Sequence, residues 1–471
     1  MAFLQSQLIQ RGQSLVRASK SLQGLIRNNA IAPRVTVRFS HSLKSQKCLL
    51  PSTQNLIKPA RSCWTSHQPA PTSTLQVKEI EKENDILLIT WNDNVTDKFP
   101  YCWLRDCCLC DECYVFTSKA RKFVMQHMDP DIRPDLVDID NGTKTITITW
   151  QGGHVSEYGF EWLHQRAFNN KNRQIRQKWL PPAHELWGKW EMEDRIPTDN
   201  LKNVLSEDKA LFNFLFEMEK KGIFLLREAP LEIGQLEKIA DRVAFMRTTN
   251  YGVTFHVQVK ADASNAAYTS AALGLHTDVP FYEYIPGVWM THCIKQYEGK
   301  GGGSQISDAF YVAEKMRRER PDLFKILTTT PIDFYDVGDD HYKFYLLQQD
   351  PIIKLDQHGC IAEVAYNNQD RDYYLDLPPE KVKPLYTALR YWDDMMYREE
   401  NHITFKLQEG DIIALDNRRV LHGRTGFGNS PDGTHDMSRH LEGIYLDWDE
   451  IRSKRRVLQY DLGLDEHPPI Y

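Results

Sequence analysis

The stretch Leu275-His276-Thr277-Asp278 restricts this chain more than any other, because it must be read with Leu421-His422-Gly423-Arg424 far downstream. Side chains on a β-strand alternate between faces, so a histidine and an aspartate two residues apart point the same way. Two such groups can share a metal, and a second histidine from another strand completes a set of two imidazoles and one carboxylate. That set leaves adjacent positions open, which suits Fe(II) acting on O₂ with a co-substrate. His276, Asp278 and His422 can meet only in a fold that returns to one spot after a long excursion. A double-stranded β-helix, a jelly-roll of two sheets, does this on rigid strands and accepts a large insert between them.

The pattern beyond residue 200 fits such a barrel. Ser206 can cap a helix that buries Leu211, Phe214, Leu215 and Met218 on one face and stops at Gly222. A buried strand follows at 223–226, then a second helix over about 232–245. Strand character recurs at 255–259, 287–293, 304–308, 361–366 and 411–415, with helices near 312–318 and 382–398. The expected class is mainly β with helices (α+β), the jelly-roll forming the catalytic part. Gly299-Lys300-Gly301-Gly302-Gly303 lacks the strand–turn–helix setting and Gly-Lys-Ser/Thr ending of a phosphate loop, and reads as a flexible hairpin turn.

A second metal signal lies nearer the start. Five of nine cysteines crowd between Cys102 and Cys113. Zinc takes four thiolate or imidazole ligands in a tetrahedron, and Cys108, Cys110 and Cys113 offer three, with His154 as the fourth. The competing reading is thiols packed in a core, the role assigned to Cys102, Cys107, Cys293 and Cys360. Ile86–Trp91 and Thr145–Trp150 are β-prone runs ending in Trp, each followed by a short second strand and a Trp-Leu pair. This crude duplication predicts two hairpins paired in one sheet and stapled by the zinc. The resulting division is a leader and linker over 1–75, a zinc-binding β-rich domain over 76–190 and the catalytic domain over 191–471.

The leader stands apart in composition. Residues 1–78 contain no Asp or Glu, while Arg11, Arg17, Arg27, Arg34 and Arg38 lie opposite an apolar face of Leu8, Leu15, Leu22 and Leu25. Such a segment reads as a mitochondrial presequence, the alternative being a basic tail on a cytoplasmic protein. A net charge of −6 argues against a general nucleic-acid binder, and no apolar run is long enough for a membrane span.

Several strings together carry a resemblance: Ala267-Tyr268-Thr269, Leu275-His276-Thr277-Asp278, His292-Cys293-Ile294-Lys295-Gln296, Asp416-Asn417, Leu421-His422-Gly423-Arg424 and Ser438-Arg439-His440-Leu441-Glu442-Gly443. They resemble the γ-butyrobetaine dioxygenase family, with its close relatives the trimethyllysine dioxygenases, over about residues 80–455. The resemblance implies Fe(II) on His276, Asp278 and His422, 2-oxoglutarate as co-substrate, ascorbate to keep the iron reduced, and a homodimer. It places the 2-oxoglutarate carboxylate on Arg439, whose planar guanidinium suits a paired hydrogen bond. It also matches the cysteine cluster and His154 to a structural zinc site.

A quaternary trimethylammonium has no N–H, so aromatic faces must recognise it. The positions implied are Tyr251, Phe255, Tyr268 and Tyr445, with Asn265 and Asn367 at the substrate's polar end. Phe255 stands where the family usually has Trp, and Arg418 also departs from a common Trp. Three functions follow in order: hydroxylation of γ-butyrobetaine to carnitine, hydroxylation of trimethyllysine, and a catalytically silent, zinc-stapled interaction module.

Overall fold

The computed structural model describes residues 74–258, 269–428 and 439–465. The basic leader, Asn265 and Tyr268 lie outside the described residues. Ile86–Trp91 and Thr145–Trp150 both alternate half-buried and fully buried positions, as strands with one apolar face must. Each is the middle strand of its own three-stranded antiparallel sheet. Val77–Lys82 and Thr96–Pro100 flank the first, Pro134–Asp140 and Val155–Gly159 the second. The Trp91 indole donates to Asp97 at 2.8 Å and the Trp150 indole to Ser156 at 2.9 Å, so equivalent contacts close the two units. The expectation of one shared sheet is corrected. Leu87, Ile89 and Trp91 share an apolar core with Ile146, Ile148 and Trp150, and burying whole faces removes more apolar surface from water than joining edges.

The larger part contains two sheets. One has six strands in the order Thr254–Gln258, His440–Leu446, Val288–Lys295, Ile412–Asp416, Ile223–Arg227 and Thr198–Asn200. The other has four: Leu273–His276, Val420–Arg424, Ser304–Asp308 and Ile403–Phe405. The strand Val288–Lys295 is buried at every position through Cys293 because both its faces are covered. Met290 packs with residues of the helices Asp208–Lys221 and Gln235–Val243, whereas Trp289 and Cys293 pack with Ile306 and Ile403 of the smaller sheet. The helix Asp208–Lys221 buries Leu211, Phe214, Leu215 and Met218 as its spacing predicts. It ends at Gly222, left-handed at φ 72, where a Cβ would come within 3.0 Å of Val420.

Four local expectations are corrected. Ser206 does not cap that helix; it ends the separate helix Leu201–Ser206, and Glu207 takes the cap position without a side-chain bond. In the 361–366 segment the strand is Ile361–Val364, and it pairs with Ile353–Leu355 outside the two main sheets. The Gly299–Gly303 loop joins a strand of the larger sheet to one of the smaller, so it is a crossing and not a hairpin turn. Cys360 is exposed, and Cys102 and Cys107 are only partly covered; Cys293 is fully buried. No helix among the described residues is long and apolar enough to cross a membrane.

Among the described residues, two fully buried ion pairs tie elements together, the first joining two helices and the second lying at strand ends. Arg455, on the helix Trp448–Asp461, meets Glu219 at 2.7 Å, and Arg419 meets Asp308 at 2.8 Å. Asp308 also caps the helix Ala309–Glu319, accepting the N–H groups of Phe310 and Tyr311. Asp308→Ala strands the Arg419 guanidinium and removes that cap. It should lower unfolding stability by about 3–5 kcal/mol, and a urea titration matching the wild type would contradict this.

Candidate active site

His276 and His422 are direct cross-strand partners, which sets their ring centroids 4.4 Å apart. Asp278 joins them by another route than the one expected. The strand stops at His276, and Val279 adopts φ 50, a left-handed conformation that is costly for a β-branched residue. Asp278 therefore lies beyond the strand end, and its aim does not come from strand alternation. Asn417 clasps it instead: the side-chain oxygen accepts the Asp278 N–H at 2.9 Å, and the amide donates to the Asp278 carbonyl at 3.0 Å. Thr277 is tied to the Val364 and Tyr366 carbonyls, and the Tyr445 hydroxyl donates to Asp278 Oδ2 at 2.9 Å.

The resulting cluster has Asp278 Oδ1 at 3.1 Å from His276 Nε2 and 3.7 Å from His422 Nε2. His276 Nδ1 donates to the Gly274 carbonyl at 2.8 Å, which turns Nε2 toward the cluster. The His422 ring stacks on Trp289, with centroids 4.2 Å apart. Burial would raise the Asp278 carboxyl, but the His276 hydrogen bond and both imidazoles hold it down to about 2. Burial and the charge of His276 push His422 down to about 3, leaving it a neutral donor. Burial also disfavours charge on His276, yet its bond to Asp278 raises its pKa, so a proton is drawn to the place a cation would fill. An ionised carboxylate and imidazole nitrogens converging within 4.8 Å fit a divalent metal.

The cluster opens on a cavity that also holds Arg439, Arg424, Tyr251, Phe255, Tyr445, Asn367 and Asp370. Arg439 is buried and forms no ion pair among the described residues; its nearest polar contact is Gln296 Oε1 at 3.3 Å. Both guanidiniums lie over the Phe427 ring, Arg424 at 4.8 Å and Arg439 at 5.5 Å. Burial lowers the pKa of Arg439 without neutralising it. A buried cation with no carboxylate paired to it among the described residues fits an anionic co-substrate.

Phe255 and Tyr445 tilt toward each other with centroids 5.1 Å apart. The Phe255 ring lies directly on Gly443, where a Cβ would fall 2.2 Å from Cζ, so a bare strand position sets the ring's height. Tyr251 reaches Asp336 through its hydroxyl at 3.4 Å. Arg418, the second departure from the family pattern, faces Glu363 at 3.7 Å. The sequence assigns no role to Asn417, Asp370, Trp289 or Arg424, although Arg424 stands in the string that holds His422. Asn417 had a signal in the Asp416-Asn417 string, whereas Asp370 sits in a polar run that looks like surface.

A second cluster forms in the smaller part. His154, in the turn between Thr145–Trp150 and Val155–Gly159, brings Nε2 to 3.4, 3.8 and 3.6 Å from the sulfurs of Cys108, Cys110 and Cys113. Its Nδ1 faces Glu112 at 3.6 Å. Three sulfurs and one imidazole nitrogen around a common point are the donor set zinc takes.

Residues 180–445 match the family model described as taurine catabolism dioxygenase TauD, TfdA family, and residues 78–164 match that of the gamma-butyrobetaine hydroxylase-like N-terminal region. The protein is therefore a TauD-type oxygenase of mixed α/β content, from a group dependent on iron(II) and 2-oxoglutarate. The gamma-butyrobetaine dioxygenase of Homo sapiens is 37% identical over 82% of this chain and 97% of its own length. That of a Pseudomonas species is 32% identical over 79% and 93%, and the mitochondrial trimethyllysine dioxygenase of Gallus gallus is 28% identical over 83% and 90%. The chain belongs to the γ-butyrobetaine dioxygenase family. Membership makes it an enzyme and sets aside the reading as a silent interaction module.

Proposed function

We propose that this enzyme hydroxylates γ-butyrobetaine to carnitine, with 2-oxoglutarate converted to succinate and CO₂. The observation that carries the reading is one cavity lined by the His276, Asp278 and His422 cluster, the buried Arg439, which has no ion pair among the described residues, and the faces of Tyr251, Phe255 and Tyr445. His276, Asp278 and His422 would hold the iron, which when bound supplies oxygen activation coupled to oxidative decarboxylation of 2-oxoglutarate. Arg439 grips the far carboxylate of that co-substrate through paired hydrogen bonds. Tyr251, Phe255 and Tyr445, with Tyr268, surround the trimethylammonium and fix which carbon lies near the metal. Trp289 covers the inner end beside His422, Phe427 supports the Arg424 and Arg439 guanidiniums, and Tyr445 and Asn417 keep Asp278 aimed. Asn265 and Asn367 belong to the polar end of the substrate site.

The same reading includes ascorbate as reductant, zinc on Cys108, Cys110, Cys113 and His154, a homodimer, and a mitochondrial matrix location directed by the basic leader. Trimethyllysine is the second reading, favoured by that leader and by the mitochondrial trimethyllysine dioxygenases among the relatives. Purified enzyme given 2-oxoglutarate, Fe(II) and γ-butyrobetaine should yield a product heavier by one oxygen and an equal amount of succinate. Succinate release indifferent to γ-butyrobetaine would overturn the proposal.

A further inference from the structure

Asn367, Gln369 and Asp370 contribute one wall of the cavity. The Asn367 amide is already engaged within the protein. Its nitrogen donates to Asp370 Oδ2 at 2.6 Å and toward the Thr277 carbonyl at 3.5 Å, while its oxygen accepts the N–H groups of Gln369 and Asp370 at 2.9 and 3.2 Å. A primary amide offers two N–H groups and two lone pairs, so each is occupied. Gln369 adds a neutral amide, so the charged group that this wall presents to the cavity is the Asp370 carboxylate. No cationic side chain pairs with it among the described residues. Burial, aided by the charges of Asp336 and Asp278 and opposed by His276, lifts its carboxyl to about 7. A carboxylate in that position is short of a positive partner.

The aromatic faces suit a cation without N–H groups, and a trimethylammonium leaves Asp370 unsatisfied because it cannot donate. A primary ammonium carries three donors and supplies both the charge and the hydrogen bond. We infer that Asp370 is a specificity-determining residue that receives a primary ammonium next to the substrate carboxylate, so the cavity takes trimethylammonium amino acids as well as γ-butyrobetaine. This rests on the trimethylammonium reading proposed above.

Calorimetric titration of the full chain with trimethyllysine, with its deamino analogue of equal length, and with γ-butyrobetaine tests it. Trimethyllysine should bind at least about tenfold more tightly than the deamino analogue, the size expected of a charge-assisted hydrogen bond. Asp370→Asn, which keeps the side chain's shape, should erase that difference. Equal affinity of trimethyllysine and its analogue for the wild type would overturn the inference even if the variant failed to fold. So would a difference that survives Asp370→Asn. If γ-butyrobetaine binds and trimethyllysine does not, the inference falls while the γ-butyrobetaine reading stands. If none of the three binds, that reading falls with it.

Discussion

Replacing His276 by alanine should remove iron from the protein and abolish succinate release coupled to a trimethylammonium substrate. The cluster offers three donors, and the orientation of His276 is fixed by cross-strand pairing with His422 and by its bond to Gly274. Loss of a group that merely orients a metal ligand typically costs about 10–100-fold, so loss of the ligand itself should exceed that range. Metal content by elemental analysis and succinate by chromatography give independent readouts. A folded His276→Ala protein with wild-type iron content and turnover would show that the cluster is not the metal centre. The thermal transition should stay near that of the wild type, because the removed imidazole leaves the strand pairing in place.

The second large effect is expected at the other cluster. Cys113→Ser should lose zinc and lower the melting temperature, and a strong chelator should do the same to the wild type. The size follows from what the site joins. Cys108, Cys110 and Cys113 follow the first three-stranded unit, and His154 sits in a turn of the second, so a metal there links chain segments more than forty residues apart. Zinc binding contributes about 10–16 kcal/mol in isolated peptides that have no other means of folding. Here the shared core of Trp91, Trp150 and their neighbours remains, so the loss should be a fraction of that figure. Protein purified with no zinc, or a variant melting with the wild type, would count against a metal site.

These two clusters differ in how far they could be read from the chain. At the cysteine cluster, residue type alone is informative, since thiols crowded on a tight turn have few other uses. At the cluster of His276, Asp278 and His422 the convergence of the three residues is legible, but the route by which Asp278 joins the histidines is not. Strand alternation gave the right neighbours for a reason that does not apply, because the strand ends at His276 and the Asn417 side chain does the placing. A side-chain clasp on a backbone amide has no periodicity, and a β-branched residue at positive φ runs against local preference.

The sheet pairing of the duplicated units was also hidden. Alternation tells which face of each strand is buried, and two apolar faces can be covered either by sharing a sheet or by meeting across a core. Arg419 and Asp308, which look like surface charges in sequence, are fully buried together. Long-range pairing of that kind leaves no local trace.

The proposed iron ligands His276 and His422 sit on paired strands of the smaller sheet, and Arg439 adjoins a strand of the larger one, whereas Asn367 and Asp370 come from the segment inserted between Asp278 and His422. The proposed metal donors His276 and His422 and the aromatic faces of Phe255 and Tyr445 thus sit on strands of the two sheets, while the group proposed to read the far end of the substrate sits on an insert. On the proposed reading, changes confined to the tract around residue 370 alter which polar group is welcomed at that far end and leave the donors to the metal in place.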